Sequence, residues 1–145
     1  MAFLLDTNVI SELRRARPDR NVEAWLEGVA SVDLHLSVLA VGEIRRGLEL
    51  LRPRQPDRAR ALDEWLDGLV TAYADRLLPV TAAAADVWGR LSARRPLPVI
   101  DGIMLATAAV HGLTFRHPRG AVARRPRRSD TQPVGSAGRD RAVMI

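Results

Sequence analysis

Three acidic residues occupy positions in the chain that solubility does not explain. Asp6 directly follows Phe3–Leu5, an apolar run typical of a buried strand, and Glu43 lies within a predicted helix. Asp101 stands near the start of another predicted helix, which carries no other formal charge. Carboxylate oxygens are the ligands that hard divalent cations prefer, and such a cation activates water for attack on a phosphodiester. If the three acids meet, the sequence therefore predicts a Mg²⁺ or Mn²⁺ site suited to phosphodiester hydrolysis.

The elements around these acids predict how they are brought together. Short apolar strands alternate with helices, a pattern typical of an α/β fold with a parallel sheet covered on both faces. Ligands of such open sheets bind outside the carboxyl ends of the strands, which is where Asp6 lies. We predict strands over residues 3–5, 34–37, 77–80 and 113–115, and helices over residues 9–14, 22–26, 39–51, 62–73, 82–94 and 99–111. Trp65 lies on the most regular apolar stripe and is predicted to be buried.

Each acid alone also has a purely structural interpretation. Asp6 fits the N-cap of the first helix, Glu43 fits a solvated helix face, and Asp101 fits an ordinary first-turn acid stabilised by the helix dipole. The combination is what favours a metal site. Three unpaired carboxylates at one sheet edge repel one another and raise one another's pKa values, and a divalent cation relieves that repulsion.

The composition excludes several classes of protein. The 145 residues suffice for one domain, and 47% of them are hydrophobic, which supports a packed core. The absence of cysteine excludes disulfide scaffolds, Cys-ligated zinc and thiol catalysis. The longest run without a formal charge, residues 102–115, has 14 residues and is too short to span a bilayer. The N-terminal residues lack the basic segment of a secretory signal, so we expect a cytoplasmic protein without membrane association.

Charge is distributed unevenly along the chain. Residues 1–115 carry 14 arginines and 15 acidic residues, a net charge of −1, whereas residues 116–145 carry eight arginines and two aspartates, a net charge of +6. We therefore predict a globular domain over residues 1–115 and a basic, disordered tail over residues 116–145. A second basic group flanks the first predicted loop and is a candidate RNA contact: Arg14, Arg15, Arg17 and Arg20.

Three segments, in order along the chain, resemble the PIN-domain ribonucleases, specifically the VapC/FitB-like toxins of type II toxin–antitoxin pairs. The run FLLDTNVISEL at residues 3–13 resembles the opening of that family, residues 36–47 resemble its second block, and residues 96–114 resemble its third. The resemblance covers about residues 3–115. It implies a three-layer α/β/α sandwich with a short parallel sheet, a Mg²⁺-dependent endoribonuclease activity on RNA, a cognate antitoxin partner and a homodimer.

The resemblance also implies roles for individual residues. Asp6, Glu43 and Asp101 match the catalytic, metal-site acids of the family, and Asp6 and Asp101 are the expected direct Mg²⁺ (or Mn²⁺) ligands. Thr7 and Asn8 are candidates for orienting Asp6 by a hydrogen bond, with plain helix capping as the alternative. Two arginines that follow Glu43 are candidate phosphate contacts, with a solvated helix face as the alternative: Arg45 and Arg46.

The chain departs from the family pattern after the fourth predicted strand. Members of the family continue there into a Thr-Arg-Asn segment with a fourth acid, followed by a last strand, whereas this chain has Arg-His-Pro-Arg at residues 116–119. We therefore expect the last strand and the fourth acid to be missing, through a shifted reading frame or as a natural basic tail. A second functional hypothesis follows, in which a catalytically weak or inactive PIN-like module binds an antitoxin or RNA without cleaving.

Overall fold

The computed structural model describes residues 1–122 and contains one five-stranded sheet in the order β3-β2-β1-β4-β5. The strands are β1 (Phe3–Leu5), β2 (Leu34–Ser37), β3 (Leu77–Leu78), β4 (Thr114–His117) and β5 (Gly120–Val122). The helices are α1 (Thr7–Glu12), α2 (Arg20–Glu27), α3 (Val38–Leu51), α4 (Pro56–Ala72), α5 (Ala82–Arg94) and α6 (Val99–Val110), with a 3₁₀ turn at Ser31–Asp33. The first four strands are parallel, and β5 runs antiparallel to β4. The predicted α/β fold with a parallel sheet is confirmed.

The central strand β1 determines where the first acid lies. It pairs in parallel with β2 on one side and with β4 on the other, and its Leu4 and Leu5 are fully buried. Each buried leucine contributes about 1.5–3 kcal/mol to folding. Because apolar packing fixes the register of this strand, Asp6 emerges at the carboxyl edge of the sheet, between two parallel neighbours.

The start of α6 is fixed by its close approach to α5. A Cβ atom on Gly102 would lie 3.0 Å from Cδ1 and 3.1 Å from Nε1 of Trp88, and 3.5 Å from Cβ of Leu97. Only a residue without a side chain fits this contact without displacing its neighbours. The packing therefore sets the position of the first turn of α6, which carries Asp101.

The expected absence of the last strand is wrong. The fourth strand continues past residue 115 to His117, and β5 pairs with it through a tight turn at which Gly120 has a φ of 136°. Only glycine adopts such a backbone conformation readily. The side chain of Arg116 lies over the ring of Trp25, 4.4 Å from its centroid, so that a tertiary contact supports a segment whose composition alone indicates a tail. Residues 123–145, the rest of the predicted disordered tail, lie outside the described residues.

Two other predictions need adjustment. The fourth helix begins at Pro56, six residues earlier than its apolar stripe, because proline is well suited to the first helical turn. Trp65 is only partly buried, since Leu66 and Leu69 are the large side chains of α4 that enter the core. Replacement of Trp65 by alanine should therefore lower the free energy of unfolding by less than the same change at a fully buried tryptophan.

No helix within residues 1–122 combines the length and the apolar character needed to cross a membrane.

Candidate active site

Asp6 is both a helix cap and a buried acid. Its backbone is extended, with φ −66° and ψ 149°, and its side chain accepts hydrogen bonds from the backbone N–H and the side-chain amide of Asn8, each at 3.4 Å. Its own backbone N–H donates to the carbonyl oxygen of Arg116 at 2.9 Å, which ties α1 to β4. Only 2% of Asp6 is exposed. Helix capping therefore does not exclude a functional role for Asp6, because both hydrogen bonds come from neutral groups of Asn8.

Asp101 lies close enough to Asp6 for their charges to interact. Burial at the start of α6 and the negative charge of Asp6 raise the pKa of Asp101 above its usual value, and His117 partly opposes this rise. Two acids far apart in the sequence therefore lie close enough for their charges to interact, Asp6 after β1 and Asp101 in the first turn of α6. This mutual repulsion is the property that a divalent cation would relieve.

Glu43 is connected to this edge through Thr7. The hydroxyl of Thr7 donates a hydrogen bond to Oε2 of Glu43, which joins α1 to the middle of α3. Thr7 is adjacent in sequence to Asp6, so the same short helix positions both acids. Of the two candidates for orienting Asp6, Asn8 makes that contact, whereas Thr7 orients Glu43 instead.

The two arginines that follow Glu43 differ in their surroundings. The guanidinium of Arg45 lies 2.5 Å from Oδ1 of Asp63, and 3.8 Å from carboxylate oxygens of Glu49 and Asp67. Its charge is therefore already matched by carboxylates of α3 and α4, and its evident role is to hold these two helices together. Arg46 is exposed.

His117 belongs to the site although the sequence analysis did not single it out. Its Nε2 lies 3.4 Å from Oδ2 of Asp6, and its Nδ1 accepts a hydrogen bond from the backbone N–H of Arg119 at 3.3 Å. In a neutral ring this leaves the proton on Nε2, directed at Asp6. A histidine at the carboxyl end of the fourth strand would have indicated this role. The basic residues around it instead led us to predict that the strand ends at residue 115.

The donor set suits a small, hard cation that keeps part of its water shell. Within residues 1–122, no three acidic or histidine side chains converge tightly enough to form a ligand cage of their own. Mg²⁺ typically binds through one or two carboxylates and completes its coordination with water and substrate phosphates. The carboxylates of Asp6 and Asp101, whose charges interact, could serve that mode, whereas the three acids do not form a complete ligand set.

Comparison with known proteins places this geometry in context. A family model described as PIN domain matches residues 3–115. Toxin FitB of Neisseria gonorrhoeae is 34% identical over 118 residues, which cover 77% of this chain and 84% of that protein. VapC ribonuclease Y4jK of Sinorhizobium fredii is 36% identical over 144 residues, which cover 95% of this chain and 94% of that protein. The crystal structure of FitAcB from Neisseria gonorrhoeae matches with a TM-score of 0.69 at 34% identity, over 78% of this chain and 84% of that chain.

Proposed function

The chain belongs to the PIN domain family, and on that premise we propose that it is a Mg²⁺-dependent endoribonuclease, the toxin of a type II toxin–antitoxin pair. The observation that carries the proposal is the placement of two acids, the buried Asp6 at the carboxyl end of β1 and Asp101 in the first turn of α6, close enough for their charges to interact. The relatives support it, because one is named a toxin and another a VapC ribonuclease, and both align over more than three quarters of this chain.

In this proposal Asp6 and Asp101 hold Mg²⁺ or Mn²⁺ at the site. The ion, when bound, supplies Lewis-acid chemistry that lowers the pKa of water and neutralises charge developing at phosphorus. The chain's own residues prepare the site for it. Asn8 and His117 fix the orientation of the Asp6 carboxylate, which is nearly inaccessible to solvent and cannot be oriented by bulk water.

Glu43 has a separate role in the same proposal. It is half-buried, and the hydroxyl of Thr7 engages one of its oxygens, which leaves the other to accept a proton from the attacking water. The water oxygen then adds to phosphorus, one P–O ester bond breaks, the leaving oxygen takes up a proton from solvent, and Glu43 releases its proton to solvent. The products are one RNA strand with a terminal phosphate and one with a terminal hydroxyl.

The proposed partners follow from the same premise. The substrate is RNA, the cognate partner is an antitoxin protein, and the working assembly contains a homodimer in the cytoplasm. The similarity to a protein named Toxin FitB supports the antitoxin partner.

A second function is a PIN-like module that binds an antitoxin or RNA without cleaving. One observation favours it: β4 ends in a histidine within the segment where the family carries Thr-Arg-Asn, and residues 116–122 contain no acid. The site then has one carboxylate fewer with which to retain a metal.

One experiment separates the two functions. Purified full-length protein is incubated with a structured RNA in Mg²⁺, with and without EDTA, beside the variants Asp6→Asn and Asp57→Asn. Asp57 is a highly exposed residue of α4, so Asp57→Asn controls for the loss of one negative charge. Metal-dependent cleavage that only Asp6→Asn abolishes supports the nuclease. RNA binding without cleavage by the wild-type protein supports the binding module.

A further inference from the structure

A basic cleft lies at the opposite end of α1 from Thr7, which contacts Glu43 of the candidate active site. It encloses about 480 Å³ between the loop that follows α1 and the first turn of α4. Its lining consists of Ser11, Arg14, Arg15, Ala16, Arg17 and Arg58, and we refer to these residues as the arginine cleft. Four arginines line it, so the cleft has a positive potential that attracts anions.

The charge of the arginine cleft is largely uncompensated. Arg15 pairs with Glu12 at 2.7 Å, and Glu12 also accepts the backbone N–H of Asp19 at 2.8 Å. Among the salt bridges formed within residues 1–122, none involves the other three arginines of the cleft, all of which are exposed. The guanidinium of Arg14 lies 5.9 Å from the ring centroid of Trp65.

The arginine cleft and the acidic site share one short helix. Thr7, which orients Glu43, begins α1, and the hydroxyl of Ser11 in the lining donates to the carbonyl oxygen of Thr7 at 2.9 Å. The four residues between them correspond to one helical turn, a rise of about 6 Å. A nucleic-acid strand that occupies both places would follow α1 from the acids to the cleft.

We propose that the arginine cleft binds backbone phosphates of the RNA substrate adjacent to the phosphate that is cleaved, an inference that rests on the proposed function. The guanidinium fork of arginine matches phosphate oxygens with two parallel hydrogen bonds. Ala16 is the only apolar residue of the lining, so the cleft offers no apolar anchor of the kind that stabilises protein interfaces. Phosphate is thus a better match for it than an acidic protein segment.

The test compares charge removal inside and outside the cleft. Arg14→Gln/Arg17→Gln removes two charges from the lining, and Arg60→Gln/Arg90→Gln removes two from exposed positions of α4 and α5, where each arginine pairs only with a carboxylate of its own helix. Full-length proteins are titrated with a labelled single-stranded RNA in EDTA, and the association constant is measured by fluorescence anisotropy between about 50 and 200 mM salt. All variants carry the same residues 116–145, so any contribution of that basic segment is common to them.

The salt dependence measures the number of phosphate contacts. For a single strand the slope of log K against log salt is about −0.7 per phosphate contact. If Arg14 and Arg17 each contact one phosphate, the slope of the cleft variant should be less steep than that of the wild type by roughly 1.4, while the control keeps the wild-type slope. Arg14→Lys/Arg17→Lys, which retains the charge, should keep most of the slope. Equal losses in the cleft and control variants, or no loss in either, would overturn the proposal.

Two further outcomes separate this proposal from the proposed function. A reduced slope in the cleft variant of a protein that does not cleave RNA supports the phosphate cleft and contradicts the nuclease. An active nuclease whose slope is unchanged in the cleft variant supports the nuclease and contradicts the phosphate cleft. If the same variant weakens binding of a polyglutamate peptide but not of RNA, the cleft serves an acidic protein segment and the proposal is wrong.

Discussion

Replacement of Gly102 by alanine tests how the structure positions Asp101. The new Cβ would lie 3.0 Å from Cδ1 of Trp88, whereas ordinary contacts begin at 3.4 Å, so the indole or the helix must move by a few tenths of an ångström. Overpacking of this kind costs about 1–3 kcal/mol. The gain in helix propensity offsets about 1 kcal/mol of that cost. We therefore expect Gly102→Ala to lower the free energy of unfolding by about 0–2 kcal/mol.

Gly89 provides a matched control for this prediction. It lies inside α5, and a Cβ added there meets no atom within 4 Å. Gly89→Ala should therefore stabilise the protein by about 0.5–1 kcal/mol through helix propensity alone. Thermal unfolding followed by circular dichroism measures both variants, with a shift of about 2–4 °C for each kcal/mol.

The same pair of variants has a functional consequence. Displacement of α6 moves Asp101 relative to Asp6, and a misplacement of about 1 Å in a catalytic group can cost on the order of 100-fold in rate. Gly102→Ala should lower the rate of metal-dependent RNA cleavage, and Gly89→Ala should leave it unchanged. If both variants stabilise the protein equally and cleave at the wild-type rate, the contact between Trp88 and Gly102 does not position the site, and the reasoning is refuted.

Three further predictions concern Asp101, the metal and the basic segment. Burial and Asp6 raise the pKa of Asp101, so this carboxylate binds a proton more readily in the folded protein than in the unfolded chain. In EDTA at neutral pH, the charged form of Asp101 therefore lowers the free energy of unfolding. This destabilisation is relieved as the pH falls towards 3.8. Asp101→Asn should therefore stabilise the metal-free protein at neutral pH, by an amount that shrinks as the pH of the unfolding assay falls; a gain independent of pH would contradict this assignment. Mg²⁺ or Mn²⁺ at about 100 times its Kd should stabilise the wild-type protein by about 2.7 kcal/mol, seen as a Tm rise of roughly 5–11 °C, and an equal rise in Asp6→Ala/Asp101→Ala would argue against binding at these acids. Residues 123–145 carry six arginines and two aspartates, so their deletion should weaken RNA binding and its dependence on salt in anisotropy titrations. The Tm should stay within a few degrees, because β5 ends at Val122. Unchanged affinity would show that these charges do not contact RNA.

The places of Asp6 and Asp101 in the fold could be predicted from the sequence because each lies next to an element with a clear local pattern. Asp6 comes directly after an apolar strand, and all strands of a parallel sheet end at the same edge, where ligands bind. Asp101 stands at the start of a helix that is otherwise apolar, and its neighbour Gly102 packs closely against Trp88 of α5. Local pattern and tertiary packing agree for these residues.

Other features depend on contacts that local pattern does not contain. The hairpin of β4 and β5 has two arginines and no clear strand periodicity, yet Arg116 packs over Trp25, 91 residues away, and Asp6 donates its N–H to the same strand. His117 reaches Asp6 only because that hairpin forms. The ion pair of Arg45 with Asp63 likewise depends on how α4 packs against α3, which the spacing of charges within one helix does not reveal.

The Mg²⁺ dependence of RNA cleavage under single-turnover conditions tests the central claim most directly. A metal ion at a phosphoryl-transfer site supplies several kcal/mol of transition-state stabilisation, so Asp6→Asn and Asp101→Asn should each lose about 100-fold or more in rate at fixed Mg²⁺. EDTA should abolish cleavage by the wild-type protein, added Mg²⁺ should restore it, and Asp57→Asn should behave as wild type. Cleavage that persists in EDTA, or that proceeds at the wild-type rate in Asp6→Asn, would contradict the account.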